Sequence, residues 1–431
     1  MKRDNENLIN LTRKMVMKRN VKLLGTMAML SMALASCTTD ELKEVYQGEK
    51  ISFTTRMTRA VGTTTENLQE FKVYAEADTY DGFFIDGEIA KRDKDGMFYT
   101  DASHIWPTNA SHIQFWAYAP TDLGDKTTVT INFEGQKFEN FVPDSDITKQ
   151  KDLVVAYNDV QKTNAGGKAV VLNFHHALSQ IEITAHCPNS SSKRVFIKGA
   201  WIVNVSGKGD LSRNPERTND LDWTPATPQN SFYGANWGLS ADDYLRAKES
   251  TESVDANKLL TGALKNRNLM LVPQNVEAYE FAKKEGEEDK SGGYILLLCR
   301  VEAWHPGVTH EGGTQDPLVK EDPEKKQHIH QLFPITETYK PEAYGYTCVP
   351  VAFNWEAGKK YVYNLEFCGH NSGAGVYPPT KLPDGLPAGD NIIKDIPKEK
   401  HPGDPVLDEP IHFSVVVDGW DDATVDDPSV Q

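Results

Sequence analysis

The sequence predicts an all-β chain. Three observations carry that prediction. Past residue 50 the apolar residues recur with period two, the spacing of a strand with one solvated face, and not with the 3.6 of a helix. Polar segments rich in Gly, Asn, Asp and Pro separate the runs. Helical patterns are confined to two short stretches, Thr65–Phe71 and Ser240–Glu249. Alternation of this kind calls for antiparallel sheets packed in pairs, as in a β-sandwich.

The bulk numbers set the outer limits. A chain of 431 residues suits two or three domains, or one large one. Its hydrophobic share of 39% is low, yet 10% aromatics is too much for a disordered chain. That combination describes a folded protein with long polar loops. The net charge of −16 argues against non-specific nucleic-acid binding, which needs Lys and Arg to neutralise phosphates.

Taken in order, residues 1–36 are an address. Lys18, Arg19 and Lys22 precede an apolar stretch, Leu23–Leu34. It falls short of the roughly 20 residues that span a bilayer and has the length of a signal-peptide core. Met17 would serve such a signal as a start as well as Met1. The following Leu34-Ala35-Ser36-Cys37 resembles a bacterial lipobox, in which the Cys is acylated and the chain is cut just before it. Cutting there removes seven basic and two acidic residues, which leaves 395 residues and takes the charge from −16 to −21. Two or three acyl chains then anchor stably, at about 0.8 kcal/mol per buried CH₂. Residues 37–50 form an acidic tether. Its Thr38–Glu44 stretch resembles the surface-export signal of Bacteroidetes lipoproteins, and a plain solvated tether has the same composition.

Strands begin past residue 50. In His112–Ala119 one face carries Ile113, Phe115 and Ala117. Thr128–Phe133, Gln180–His186 and Ile411–Val417 alternate in the same way. Further β-rich runs are Glu70–Tyr74, Asp152–Tyr157, Ala169–Phe174, Val195–Val205, Asn268–Val272, Tyr294–Val301, Thr347–Asn354 and Lys360–Phe367. The polar, Gly-rich stretch Gln161–Lys168 marks a boundary, dividing the body into 51–170 and 171–431. Long loops follow at Ala282–Gly293, Pro306–Gln327 and Gly369–Pro410, the last holding eight of the 23 prolines. Loops of that length are functional excursions or linkers. No internal repeat is present.

Chemistry is sparse. The chain has no nucleophile elbow, zincin, CxxC, phosphate-loop or dinucleotide fingerprint. Gly369–Gly375 lacks the Lys-Ser/Thr that would hold phosphate. His175 and His176 are adjacent, so in a strand they face opposite ways and cannot share a metal. They read as packing or backbone hydrogen bonding. His305, His310, His328 and His330 flank one acidic loop, and His328 and His330 have the spacing of a metal site on a β-ribbon. A solvated loop is the default reading. Glu285, Glu287, Glu288 and Asp289 form a mixed-charge loop tip, and Asp418, Asp421 and Asp422 lack calcium-loop spacing. Cys187, Cys299, Cys348 and Cys368 make an even set in an exported chain. One or two disulfides could form, but strand positions favour buried thiols. Neither a cofactor, a metal nor catalysis is expected.

Several segments, in order, carry a resemblance. They are the lipobox, then Ile51–Ala60 (ISFTTRMTRA), Phe115–Pro120 (FWAYAP), Asp152–Tyr157 (DLVVAY) and Phe174–Ile181 (FHHALSQI). Leu269–Gln274 (LMLVPQ), Trp355–Leu365 (WEAGKKYVYNL) and Phe413–Trp420 (FSVVVDGW) follow. This set resembles the fimbrillin family of Bacteroidetes, the Mfa-like/FimA-like subunits of type V pili. The resemblance implies two transthyretin-like antiparallel β-sandwich domains in tandem. It implies a lipoprotein anchored at Cys37 in the outer membrane. It also implies that an Arg-specific protease cuts between Arg59 and Ala60, with Arg56 as second choice, removing an edge strand at Ile51–Thr55. Other fimbrial subunits would then supply the missing strand, and the fimbria would meet a receptor on a host or bacterial surface. Only 11 acidic, weakly apolar residues follow Trp420, which suits a tip, accessory or anchor subunit better than a stalk.

Two other readings fit the composition. A surface glycan-binding lipoprotein of a polysaccharide-uptake system would use exposed rings such as Trp223, Tyr233 and Trp237. The default reading is that these rings pack a long loop onto the sheet. A hydrolase would need two carboxylates about 5–9.5 Å apart across a cleft.

Overall fold

Every one of the 25 elements among the described residues is a β-strand. The computed structural model describes residues 50–57, 63–162, 168–215, 220–236, 244–249, 258–260, 269–284, 286–307 and 316–419. The first strands are β1 Phe53–Arg56, β2 Glu70–Ala77, β3 Phe83–Arg92, β4 Phe98–Thr100, β5 His112–Ala119, β6 Thr128–Asn132, β7 Gly135–Phe141, β8 Val154–Gln161 and β9 Val170–His176. The middle ones are β10 Ser179–His186, β11 Lys193–Val205, β12 Gly209–Arg213, β13 Asp222–Pro225, β14 Ser231–Asn236, β15 Leu245–Arg246, β16 Leu269–Leu271 and β17 Asn275–Val276. The last are β18 Tyr294–Pro306, β19 Val319–Asp322, β20 Gln327–Phe333, β21 Tyr344–Pro350, β22 Phe353–Asn354, β23 Lys359–Glu366, β24 Ile392–Ile393 and β25 His412–Gly419.

Seven early strands close into a barrel in the order β1-β4-β3-β2-β5-β8-β9. Its interior is aromatic. Phe53 meets Phe71 and Phe115 edge-on at 5.9 and 5.7 Å, and Phe71 in turn meets Phe98 at 5.0 Å and Phe174 at 5.3 Å. Such pairs add about 0.5–1.5 kcal/mol each beyond the area they bury. Along β5, Ile113, Phe115 and Ala117 point into this core. The opposite face is covered as well. Trp116 and Tyr118 belong to a second cluster, with Phe138, Leu211 and Val272. Part of that cover is a four-stranded sheet, β13-β12-β7-β6, with two strands from either side of residue 170.

The later strands make a two-sheet sandwich. One sheet, β16-β10-β23-β25, turns Ile181, Ile183, Tyr363 and Leu365 inward. The facing sheet, with β11, β18 and β21, contributes Ile197, Ile202, Ile295, Leu297 and Val349. The outer side of that second sheet is buried too. Trp201, Leu296, Leu298 and Tyr346 pack against Val376 and Leu386 of the Pro-rich segment. Cys348 and Val376 exchange backbone hydrogen bonds at 2.8 and 3.0 Å. Burial on both faces explains why Tyr294–Val301 reads as a continuous apolar run. The long Gly369–Pro410 excursion is therefore a cover for the sheet.

The structure departs from the sequence pattern in four places. Thr65–Phe71 is not a helix. It makes a single turn, Leu68 N–H to the Thr64 carbonyl at 2.9 Å, before β2 begins. Thr64 and Asn67 bond to each other's backbone and offer the chain an alternative to helix. Within Ser240–Glu249, the described part is extended at β15, which pairs with β11. Three ladders, β1–β9, β10–β23 and β21–β24, are parallel where antiparallel pairing was expected. Parallel neighbours need long connections, and in the first two pairs much of the fold lies between the partners. Finally, all eight residues of β25 are exposed, although their alternation predicts one buried face.

Candidate functional site at the barrel seam and the C-terminal edge

β1 is the strand that closes the barrel. Phe53 and Thr55 are buried, and Arg56 is exposed at its end. On one side it runs parallel to β9 over four pairs, Phe53↔Val170 to Arg56↔Asn173. On the other it meets β4 at one pair only, Phe53↔Phe98. Just before it, Ile51 N–H donates to the His104 carbonyl at 2.9 Å, and Val170 N–H donates to the Ser52 carbonyl at 2.8 Å. The expected edge strand thus has neighbours on both sides. Taking it out would leave two unpaired strand edges and an empty apolar slot where Phe53 sits.

Cys37, Arg59 and Ala60 lie outside the described residues. The chain is described again at Thr63, and there it is fastened. Thr63 N–H donates to Asp152 Oδ2 at 2.9 Å, and the same oxygen lies 2.9 Å from His176 Nδ1. His176 is fully buried while His175 is only partly covered, so the pair does face opposite ways. Sequence reasoning missed the Asp152–His176 pair. Its only sequence signal is a carboxylate at the head of an apolar strand run.

β25 is the second feature. It pairs with β23 through eight residues, Lys359↔Gly419 to Glu366↔His412, and has no further neighbour in the sheet. Phe413, Val415, Val416 and Val417 are 40–50% exposed, and none of them enters a core cluster. Hydrogen bonds hold this strand; packing does not.

The other marked residues are structural where described. Trp223 donates its indole N–H to the Ala177 carbonyl at 2.6 Å, and the Tyr233 hydroxyl donates to the Gly207 carbonyl at 3.3 Å. Both rings pack against the sheets, and Trp237 lies outside the described residues. His305, His328 and His330 come together, with ring centroids 5.0–5.3 Å apart. His310 lies outside the described residues. Among the described residues, no three His, Cys, Asp or Glu side chains are arranged to hold a metal ion. Asp289 accepts hydrogen bonds from the Tyr279 hydroxyl and Ala282 N–H, as a loop-closing group. Glu285, Asp421 and Asp422 are not described. Cys187, Cys299, Cys348 and Cys368 are buried, free thiols.

Among the described residues the fold is all-β, with β1 closing a barrel and β25 lying exposed at the edge of a sheet. Residues 58–287 match the family model described as fimbrillin-like, and the chain belongs to that family. It is thus a structural fimbrial subunit of the cell surface, with other fimbrial subunits as its partners. The fold is similar to that of a fimbrial protein from Bacteroides vulgatus. That match has a TM-score of 0.51 at 15% identity and covers 86% of this chain and 99% of that one. A candidate cell adhesion protein from Parabacteroides distasonis matches with a TM-score of 0.40 at 12% identity, over 86% of this chain and 98% of that one. No curated protein matches the chain.

Proposed function

We propose that the chain is exported as a lipoprotein anchored at Cys37 in the outer membrane. An Arg-specific protease then cuts between Arg59 and Ala60, and a strand from a neighbouring subunit replaces β1. The observation that carries this reading is the double pairing of β1 around a buried Phe53, just ahead of the proposed cut. Arg59 is preferred over Arg56 because Arg56 is held in the ladder opposite Asn173. Cleavage alone leaves β1 in its slot. An incoming strand must compete for the same backbone bonds and the Phe53 pocket. The donor we propose is β25, which has exposed apolar side chains and no core contacts. The contact is head-to-tail and does not close, so subunits add in a line. The division near residue 170 is proposed to separate two transthyretin-like domains. The barrel core runs from Ile51 to Phe174 and its last strand, β9, ends at His176, so the boundary falls after β9, a few residues beyond 170.

Limited digestion of the full chain with an Arg-specific protease tests this. A stable core starting at Ala60 is expected, and Arg59→Ala should abolish it. Wholesale degradation, or a stable core starting elsewhere, would count against the reading.

A glycan-binding role has one observation behind it. A cleft of about 550 Å³ is lined by His175, Asp222, Trp223, Gln274 and Glu356. Saturable binding of a polysaccharide to the monomer, lost on Trp223→Ala, would favour that role.

A further inference from the structure

Two of the buried cysteines sit at the ends of neighbouring strands. β10 and β23 run parallel and in register from Gln180↔Lys360 to His186↔Glu366. The ladder continues by one bond, from Phe367 N–H to the His186 carbonyl at 2.8 Å. Cys187 is the next residue on one strand, and Cys368 lies just past Phe367 on the other. A strand spacing of about 4.8 Å and a rise of about 3.3 Å put their Cα atoms roughly 6 Å apart, within the usual disulfide span.

Side-chain direction agrees. In a regular strand Cys368 would face away from Phe367. Its φ of 54° breaks that alternation, in a region non-glycine residues seldom enter. Phe367 and Cys368 are both fully buried in the core that also holds Cys187. The turn is fastened in place. The Asn189 side chain donates to the Cys368 carbonyl at 2.8 Å, and Cys368 N–H donates to the Gly373 carbonyl at 2.9 Å. The thiols also sense one another. A hydrogen bond between them is the largest cause lowering the pKa of Cys187 and raising that of Cys368.

We propose that Cys187 and Cys368 form a disulfide in the exported protein, with a small disulfide or a disulfide-exchange protein as oxidant. Cys187 loses its proton and attacks one sulfur of the oxidant, whose S–S bond breaks and releases a thiolate. Cys368 then loses its proton, attacks the Cys187 sulfur of the mixed disulfide and releases the second thiolate. The two protons pass to the two released thiolates. The protein thiols are oxidised, and the oxidant is reduced to two thiols. Cys299, on facing β18, and Cys348, on the other side of that sheet, stay reduced.

The bond would lie where β25 begins. Glu366 pairs with His412, His412 N–H donates to Ser372 Oγ at 3.0 Å, and Gly373 N–H donates to the Pro410 carbonyl at 2.8 Å. The cross-link fixes the turn that anchors β25 and holds β10 to β23. If β25 leaves, as in the strand exchange proposed above, those two strands remain joined.

Peptide mapping tests the bond on the full chain, independently of any assembly assay. The chain is unfolded, reduced, and refolded in reduced and oxidised glutathione. It is then alkylated with iodoacetamide in denaturant and digested. A peptide linking Cys187 to Cys368 is expected, with Cys299 and Cys348 alkylated. Alkylation of all four, or a link to Cys299 or Cys348, overturns the proposal. The refolded wild type should also melt several degrees higher than its reduced form. The Cys187→Ser/Cys368→Ser double variant should lose that difference, and a retained difference overturns the proposal as well.

Discussion

Glu76 is a charged residue in the wrong surroundings for a charge. It lies on β2 at 4% exposure, and its Oε2 has no hydrogen-bond partner. Burial pushes its carboxyl up from 4.5 to about 7. A raised folded pKa means the native state prefers the protonated form. The stability this contributes is fully present below about 4.5 and is lost as pH rises through about 7. Glu76→Gln keeps the neutral shape at every pH. It should raise the urea midpoint at pH 8 and leave that at pH 4 nearly unchanged. An equal shift at both would disprove the assignment. Phe53 gives a sharper test of β1. Its side chain fills the barrel between Phe71 and Phe115. Phe53→Ala should cost about 3–5 kcal/mol in chemical denaturation, by lost burial and the cavity left behind.

At the scale of the element, β25 stands apart. A strand held by backbone bonds alone, with every side chain exposed, contributes little to the core. A chain ending at Ile411 should keep its circular dichroism and melt within about 5 °C of the full chain. A larger loss would mean that β25 supports the sandwich. Elements also show what was legible in the sequence. β5 and β10 were, because their apolar residues alternate in plain view. β3 was not, since Asp86, Gly87 and Glu88 interrupt its pattern. Gly87 has a φ of 66°, and a Cβ there would meet the Tyr74 hydroxyl at 2.9 Å. β14, Ser-Phe-Tyr-Gly-Ala-Asn, was hidden for a similar reason. A Cβ on Gly234 would lie 2.1 Å from the Ala200 carbonyl oxygen, so close backbone packing took the place of an apolar side chain. The exposure of β25 was also illegible, because its sequence alternates like that of a half-buried strand and only its place at the sheet edge leaves it bare.

Across the whole molecule, the all-β class was readable from short-range pattern, while barrel closure was not. Closure depends on β1 meeting β9, partners separated by the entire barrel, and no local signal records such a pairing. The continuous apolar run of β18 did carry long-range information. It is buried on both faces because the Pro-rich segment returns to cover its outer side. Composition alone made that segment look like a linker.

The parallel pairing of β1 with β9 has a geometric consequence for any chain that takes its place. A replacement strand that keeps the same backbone bonds must run in the direction of β9, since reversing it would change the whole ladder. One-sided insertion then points each added subunit the same way along the axis. The filament would have two unlike ends, and growth would occur only at the end whose slot is open.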